Sequence, residues 1–367
     1  MYNNELKAIH KSNRYRKREL FDDSLHDLAS NDYLGFSTNK MLFTNAYERI
    51  LKEKYHAPKA SMLVNGYSKI HKKFEDKLKT ANNFEDAIIL GSGFMANLAM
   101  IEALVRKGDI LFIDELYHAS GMLATKLLKK SQVILFKHNN AKDLKEKIFL
   151  TPRKKSTRLI IAIEGIYSME GDIAPKEIFH IADEFKALLL VDEAHSSGII
   201  GDNLMGVFDY YNITPKENHI KMGTLGKAYG SYGAYILAST KIIDFLSNRA
   251  KSIIYTTATS LFDTALGLES LNYILKNTSS IKQKIQNRLT IIEEELGIQS
   301  QSLIIPISIN DNKKVIQIQA ELKEKGFLVG AIRQPTVSSA IIRLIAKNDI
   351  DSKLLREVCK HLKEHLS

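Results

Sequence analysis

KALLLVDEAHSSGIIG, residues 186–201, is the stretch from which the fold of this chain can be read. Leu188, Leu189, Leu190 and Val191 form an apolar run without a polar break, the pattern of a strand buried on both faces in a parallel sheet. The run ends in Asp192, Glu193, Ala194 and His195. Open α/β sheets bind ligands outside the carboxyl ends of their strands, so two acids and a histidine there mark a candidate site. Lys227 follows 35 residues after Asp192, in KMGTLGKAYGSYG, just after another strand-like segment and among glycines and small hydroxyl residues. A lysine so placed can hold a carbonyl cofactor covalently. Acid, histidine and lysine in this order suggest pyridoxal phosphate chemistry, in which the lysine forms a Schiff base and the acid pairs with the pyridinium nitrogen.

Outward from this stretch, helical patterns near 40–54, 69–82 and 94–107 alternate with strand patterns at 87–90, 110–113, 133–136, 159–163, 188–191 and 235–238. Such alternation predicts an α/β domain with a mainly parallel sheet. Residues 1–20 read as a basic amphipathic helix with Leu6 and Ile9 on one side, and 21–29 as a turn and a strand leading into SNDYLGF (30–36). Beyond residue 260 a long helical stretch, 261–296, precedes strands near 303–309 and 327–332, the texture of a smaller α+β domain. The expected organisation is an N-terminal helix-and-strand segment (1–36), a large α/β domain (37–260) and a small α+β C-terminal domain (261–367).

The 367 residues, 44% hydrophobic and 26% charged, suit a globular protein with a large core. The first twenty residues lack the apolar core of a signal peptide, and no apolar run approaches the roughly 18 residues of a membrane span. Cys359 is the only cysteine, which excludes an intrachain disulfide and a cysteine-rich metal site. A cytoplasmic location without membrane attachment is expected. The net charge of +10 is uneven: residues 121–158 carry eleven Lys or Arg against two acids. That run fits a solvated lysine-rich surface, or a surface for an anionic partner such as coenzyme A or an acidic carrier protein. Nucleic acid is not expected, because no recognition motif accompanies the charge.

GSGFMAN (91–97) follows the strand pattern AIIL and opens a helix, where glycines and free N–H groups can receive a phosphate. It also fits the loose G-x-G-x-x-A dinucleotide pattern with Asp114 about twenty residues on, and equally a plain strand-to-helix turn. VDEAH imitates a helicase motif, but that function needs an upstream G-x-x-x-x-G-K-[ST] loop. The only Gly-Lys pair is Gly226–Lys227, which comes later and precedes Ala228. His118 in DELYHAS and Ser168 in EGIYSMEGD each follow a strand pattern, so both can reach the same crevice. His26, His56, His138 and His180 lack that context and read as structural or surface residues.

With these pieces in order, SNDYLGF (30–36), NGYSKIH (65–71), GSGFMAN (91–97), DELYHAS (114–120), EGIYSMEGDIAP (164–175), VDEAHSSGIIG (191–201), TLGKAYGSYGA (224–234), IIYTT (253–257) and AIRQPTV (331–337) resemble, over nearly the whole chain, the motifs of the α-oxoamine synthases. The resemblance implies a pyridoxal-phosphate enzyme of transferase fold type I, with a mainly parallel seven-stranded sheet and a smaller C-terminal domain. It implies that Lys227 binds pyridoxal 5'-phosphate and later moves the substrate Cα proton. Asp192 would hold the ring nitrogen, His195 the ring oxygen, and His118 the ring face. Gly93, Phe94 and Thr224 would lie at the phosphate, with Thr257 reaching the phosphate of a neighbouring subunit in a homodimer. Ser168 would line the ring. Arg16, with Arg14 as its competitor, would sit at the substrate, and Thr336 and Arg343 at its acyl and carboxylate ends.

The implied reaction is a decarboxylative condensation of an amino acid with an acyl thioester, needing no metal. AIRQPTV resembles the biotin-pathway branch, which implies L-alanine and pimeloyl-coenzyme A or a pimeloyl carrier protein. Glycine with acetyl-coenzyme A is the alternative. Two stretches depart from the family pattern. No glycine occurs from His56 to Asn65, where the family is glycine-rich, and Ser338, Ala340 and Ile345 replace a proline, a glycine and an arginine around Arg343. An NAD oxidoreductase built on GSGFMAN would leave Lys227 and Asp192 unexplained. A basic binding protein would leave every strand-end motif unexplained.

Overall fold

The computed structural model describes residues 1–12 and 14–366. Its strands are β1 (His26–Leu28), β2 (Asp86–Leu90), β3 (Ile110–Asp114), β4 (Val133–Phe136), β5 (Leu159–Glu164), β6 (Leu188–Asp192), β7 (His219–Thr224), β8 (Ala234–Ala238), β9 (Ile304–Ser308), β10 (Phe327–Ile332) and β11 (Ile341–Ile345). Seven form one sheet in the order β2-β8-β7-β6-β5-β3-β4. Within it only β8 runs antiparallel to its neighbours, so the sheet is mainly parallel, as the alternating pattern predicts. The apolar runs are apolar throughout because both faces are covered. Leu189 and Val191 of β6 belong to one core cluster, and Leu190 between them to the other. Each such side chain contributes roughly 1.5–3 kcal/mol by leaving water. Among the described residues no helix is long and apolar enough to cross a membrane.

A second sheet has the order β1-β10-β11-β9. β1 pairs in parallel with β10, His26 opposite Phe327, so the N-terminal segment is stitched into the C-terminal sheet. The junction between the two sheets is polar and specific. Ser302 Oγ donates to Gly171 O at 2.7 Å, Gln301 Oε1 accepts from Ile173 N at 3.1 Å, and Asn348 N donates to Tyr33 O at 2.8 Å. Large-domain loops and small-sheet loops are thereby held in register.

Two expectations change in detail, and two strands escape the apolar pattern. The first helix covers Asn3–Lys11 rather than 1–20. RYRKR (14–18) packs like charges too closely for a helix face, and Leu6 and Ile9 are exposed. The predicted helix 261–296 is two helices, Leu261–Lys276 and Thr278–Leu296. Asn277 Nδ2 donates to Tyr273 O at 2.8 Å and Thr278 Oγ1 to Ile274 O at 2.9 Å, local side-chain bonds that compete with helix continuation. β7, the strand-like segment before Lys227, has Lys221 buried within it, donating to Asn82 Oδ1 at 2.8 Å with Glu193 Oε1 at 3.6 Å. β11 escapes the apolar pattern because it carries the buried Arg343.

Arg288, buried on the helix Thr278–Leu296, ties the segment that follows β11 together. It donates Nε to Lys347 O at 3.2 Å, Nη1 to Ser352 Oγ at 2.8 Å, and Nη2 to Ile350 O at 2.5 Å. Arg288→Met keeps the volume but orphans these buried acceptors, at about 1–3 kcal/mol each. A fall in the thermal midpoint of several degrees is expected by differential scanning fluorimetry; a shift under about one degree would contradict this role.

Candidate active site

Adjacent strands of the large sheet end in Asp114 (β3), Glu164 (β5), Asp192 (β6) and Thr224 (β7). Glu164 and Asp192 lie directly opposite one another in register. The parallel direction brings all four to one edge, where a cavity of about 200 Å3 opens between the strand ends and the helix Gly93–Leu104. Gly93, Phe94, His118, Asp192, His195, Thr224 and Lys227 line it, with Asn97, Ser120 and Glu164. Seven of the twelve residues expected at a site thus converge on one small space. Larger clefts open elsewhere. One of about 510 Å3 adjoins Tyr67 and Glu75, and a basic one of about 720 Å3 lies between Arg153, Lys154, Lys155, Arg158 and Lys186. Chemistry rather than volume selects the smaller. The basic cleft sits where β5 and β6 begin, at the opposite edge of the sheet.

Asp192 is held by two donors: Asn97 Nδ2 to Oδ2 at 2.7 Å and Ala194 N to Oδ1 at 3.0 Å. Asn97 is itself fixed by Tyr117, whose hydroxyl donates to Oδ1 at 2.7 Å. His118 Nδ1 meets Ser120 Oγ at 2.7 Å, which orients the ring at the cavity mouth. Although His118 is open to water on one side, the cleft walls lower its pKa; Asp192 opposes this shift and Lys227 adds to it.

Lys227 Nζ lies 2.6 Å from His195 Nε2, and His195 Nδ1 lies 2.5 Å from the Tyr33 hydroxyl. Burial brings the Lys227 amine down to about 8, with Arg343 adding to the shift and Asp192 and Glu164 opposing it. Burial, then Lys227, Arg343 and His118, push His195 well below its ordinary value, so its ring is neutral. Burial and the neighbouring Asp192 raise Glu164 well above the usual carboxylate range. The loop carrying Lys227 is set by Gly230, which has φ +56° and donates its N–H to Lys227 O at 2.9 Å. A Cβ there would stand 2.6 Å from Phe36 Cβ, so TLGKAYG and SNDYLGF can meet only through glycine.

The remaining expected residues lie outside the cavity lining. Arg343 Nε donates to Ser168 O at 2.7 Å and Nη2 to Asn31 Oδ1 at 2.9 Å, beside the Tyr33–His195 pair. Arg16 Nη2 donates to Thr336 Oγ1 at 3.3 Å on the exposed surface, whereas among the described residues Arg14 shows a backbone bond, its N–H donating to Ile9 O at 3.0 Å. Thr257 is exposed, in a segment tied to the glycine-less stretch by Ala258 N donating to Ala60 O at 3.0 Å. Gly66 is required there, because a Cβ would fall 2.0 Å from Ala60 O. His138 is structural, held between Asp114 Oδ1 at 3.1 Å and Asp172 Oδ2 at 2.9 Å. Burial lowers its pKa, but the two carboxylates outweigh burial and hold it up at about 10.

Asn97, Ser120, Glu164, Asn31 and Tyr33 had no chemical signal of their own in the sequence. Glu164 and Asn97 could have been found as polar ends of the motifs EGIYS and GSGFMAN.

The cavity fits pyridoxal phosphate on its own observations. Glu164 Oε1 is buried without a partner. A Cβ on Gly93 would enter the space near Met222 and Thr224, 3.4–3.9 Å away. The first N–H groups of a helix lack intrahelical partners, and the Ser92 side chain takes that of Met95.

The model of the aminotransferase class I and II family matches residues 23–362. The 8-amino-7-oxononanoate synthase of Helicobacter pylori (strain J99 / ATCC 700824) is 48% identical over 96% of this chain and 94% of its own. Serine palmitoyltransferase of S. paucimobilis, solved with PLP bound, superimposes with a TM-score of 0.88 at 21% identity, covering 99% of this chain and 97% of that one. The 8-amino-7-oxononanoate synthase of Francisella tularensis superimposes with a TM-score of 0.75 at 26% identity, covering 94% and 98%. The fold, the strand-end cavity and these likenesses agree: the chain belongs to the class I and II aminotransferase family, in its α-oxoamine synthase branch.

Proposed function

We propose that the chain condenses L-alanine with a pimeloyl thioester, releasing carbon dioxide and the thiol, to give 8-amino-7-oxononanoate for biotin biosynthesis. What carries this is Lys227 beside His195, in a cavity ended by Asp192, in a chain like the 8-amino-7-oxononanoate synthases along nearly its full length. Pyridoxal 5'-phosphate, when bound, supplies an electron sink for the carbanion at the substrate Cα. Lys227 would hold it covalently and carry the Cα proton, for which an amine brought to about 8 is suited. Asp192, kept in place by Asn97 and the Ala194 N–H, would hold the ring nitrogen protonated. His195 would bond the ring oxygen and His118 would cover the ring. Gly93, Phe94 and Thr224 would receive the phosphate at the start of their helix and strand end.

Arg343 would take the amino-acid carboxylate, and Ser168, whose carbonyl it already binds, would line the ring side. Arg16, paired with Thr336, would meet the far carboxylate of pimelate, a group that acetate lacks. The thioester partner is coenzyme A or a carrier protein. The second subunit of a homodimer would bring Thr257 to the phosphate. Phe94, at the cavity, and Tyr255, two residues before Thr257, are both exposed apolar side chains that a second copy could cover.

Three outcomes are expected. Capture of pyridoxal phosphate by the apoprotein, followed by visible absorbance, should rise about tenfold per pH unit below pH 8 and level off above it. Lys227 is protonated below its pKa, and at pH 8 an ordinary lysine would be only roughly 0.3% amine. A rise continuing to pH 10 would contradict a lowered pKa. In assays of thiol release, alanine with pimeloyl-coenzyme A should outpace glycine with acetyl-coenzyme A, and Asp192→Asn should lose roughly 100-fold or more. Faster turnover with glycine and acetyl-coenzyme A would overturn the substrate assignment. Mixing Lys227→Ala with Thr257→Ala subunits should restore activity, because one site in each hybrid then has both residues; a fully active monomer would rule out sharing.

A further inference from the structure

SNDYLGF supplies a buried tyrosine that contributes nothing to the cavity lining. Tyr33 is 1% exposed, and its backbone is pinned by Asn348 N donating to Tyr33 O at 2.8 Å. Its hydroxyl meets His195 Nδ1 at 2.5 Å and Asn31 Oδ1 at 3.2 Å, with the Arg343 guanidinium also donating toward it. We propose that Tyr33 is a positioning residue that fixes the tautomer of His195, placing the proton on Nδ1 and the lone pair of Nε2 toward Lys227.

The donor directions follow from Arg343. A guanidinium has donors and no acceptor, so the atom of Asn31 that faces Arg343 Nη2 at 2.9 Å is the amide oxygen. That oxygen has no proton to give, so the Tyr33 hydroxyl must donate to it. With its proton committed to Asn31, the hydroxyl can only accept from His195 Nδ1, which therefore carries a hydrogen. A neutral imidazole has one N–H, and burial, with Lys227 and Arg343 nearby, keeps this ring neutral. Nε2 is then an acceptor, and the group 2.6 Å from it is Lys227 Nζ. One chain of donors runs from Lys227 through His195 and Tyr33 to Asn31, closed by Arg343 from the small sheet.

The consequence is chemical. When Lys227 is a free amine, it meets His195 through an N–H and keeps its own lone pair free. With the opposite tautomer, Nε2–H would point into that lone pair and occupy it. That lone pair is what would capture the aldehyde carbon of pyridoxal phosphate, the aldehyde oxygen leaving as water with the two amine hydrogens. Tyr33 thus keeps the nucleophile available without touching it. The consequence for capture rests on Lys227 as the cofactor-bearing lysine, whereas the tautomer itself does not.

The test uses the full-length apoprotein labelled with 15N-histidine, with His195 assigned from the signal lost in His195→Gln. The native ring should show the nitrogen shifts of the Nδ1–H form. Tyr33→Phe should move them to the Nε2–H form or to a mixture, and slow capture of pyridoxal phosphate at pH 8 roughly tenfold. Asn31→Asp, which keeps the acceptor, should retain the native ring pattern. An Nε2–H ring in the native protein, or unchanged ring shifts and capture in a folded Tyr33→Phe, would overturn the proposal. The native measurement decides even where Tyr33→Phe fails to fold. Absence of any capture by Lys227 with the Nδ1–H ring intact would instead count against the cofactor assignment.

Discussion

Adjacent parallel strands deliver three carboxylates, Asp114, Glu164 and Asp192, to one buried edge, and the rest of the site answers that crowding of negative charge. Like charges side by side in a low dielectric cannot all stay ionised without partners. Each acid is met differently. Asp114 faces the His138 imidazolium, which also reaches Asp172. Asp192 takes two N–H donors and looks toward Lys227. Glu164 has no cation of its own, and burial beside Asp192 pushes it toward the protonated form. A cavity lined by an acid held by two N–H donors, an acid pushed toward its neutral form, a neutral imidazole and an amine of lowered pKa suits a cofactor that is itself a cationic ring with an anionic tail.

The same edge explains why two sheets are needed. The large sheet can place acids and the lysine loop, but it has no arginine at the cavity. Arg343 comes from β11 of the small sheet and reaches both Ser168 and Asn31. Because β1 is part of that small sheet, the segment carrying Asn31 and Tyr33 is fixed relative to Arg343. The small sheet therefore acts on Lys227 at a distance, through hydrogen bonds rather than contact.

Much of this was legible in the sequence because parallel strands advertise themselves. The run 188–191 is apolar because both faces are covered, and its polar ending lines the cavity. Lys227, Asp192 and His195 stood out because their residue types have few uses at a strand end. Strands whose polar residues are paired inside the protein were harder to see: Lys221 in β7 and Arg343 in β11 break the apolar pattern, and each is explained by partners far away in the sequence. Tyr33 and Asn97 lay inside the motifs SNDYLGF and GSGFMAN but did not stand out there, since their importance lies in what their polar atoms touch. Arg16 and Thr336 were named together from motifs alone and do meet, but at the surface, away from the cavity lining.

The most direct measurement of the central claim is the site of covalent attachment. The protein loaded with pyridoxal phosphate would be reduced with borohydride, digested and mapped by mass spectrometry. The account predicts a single reduced adduct on Lys227, lost in Lys227→Ala. An adduct on Lys221 or Lys241, or none on a protein that retains full activity, would contradict it.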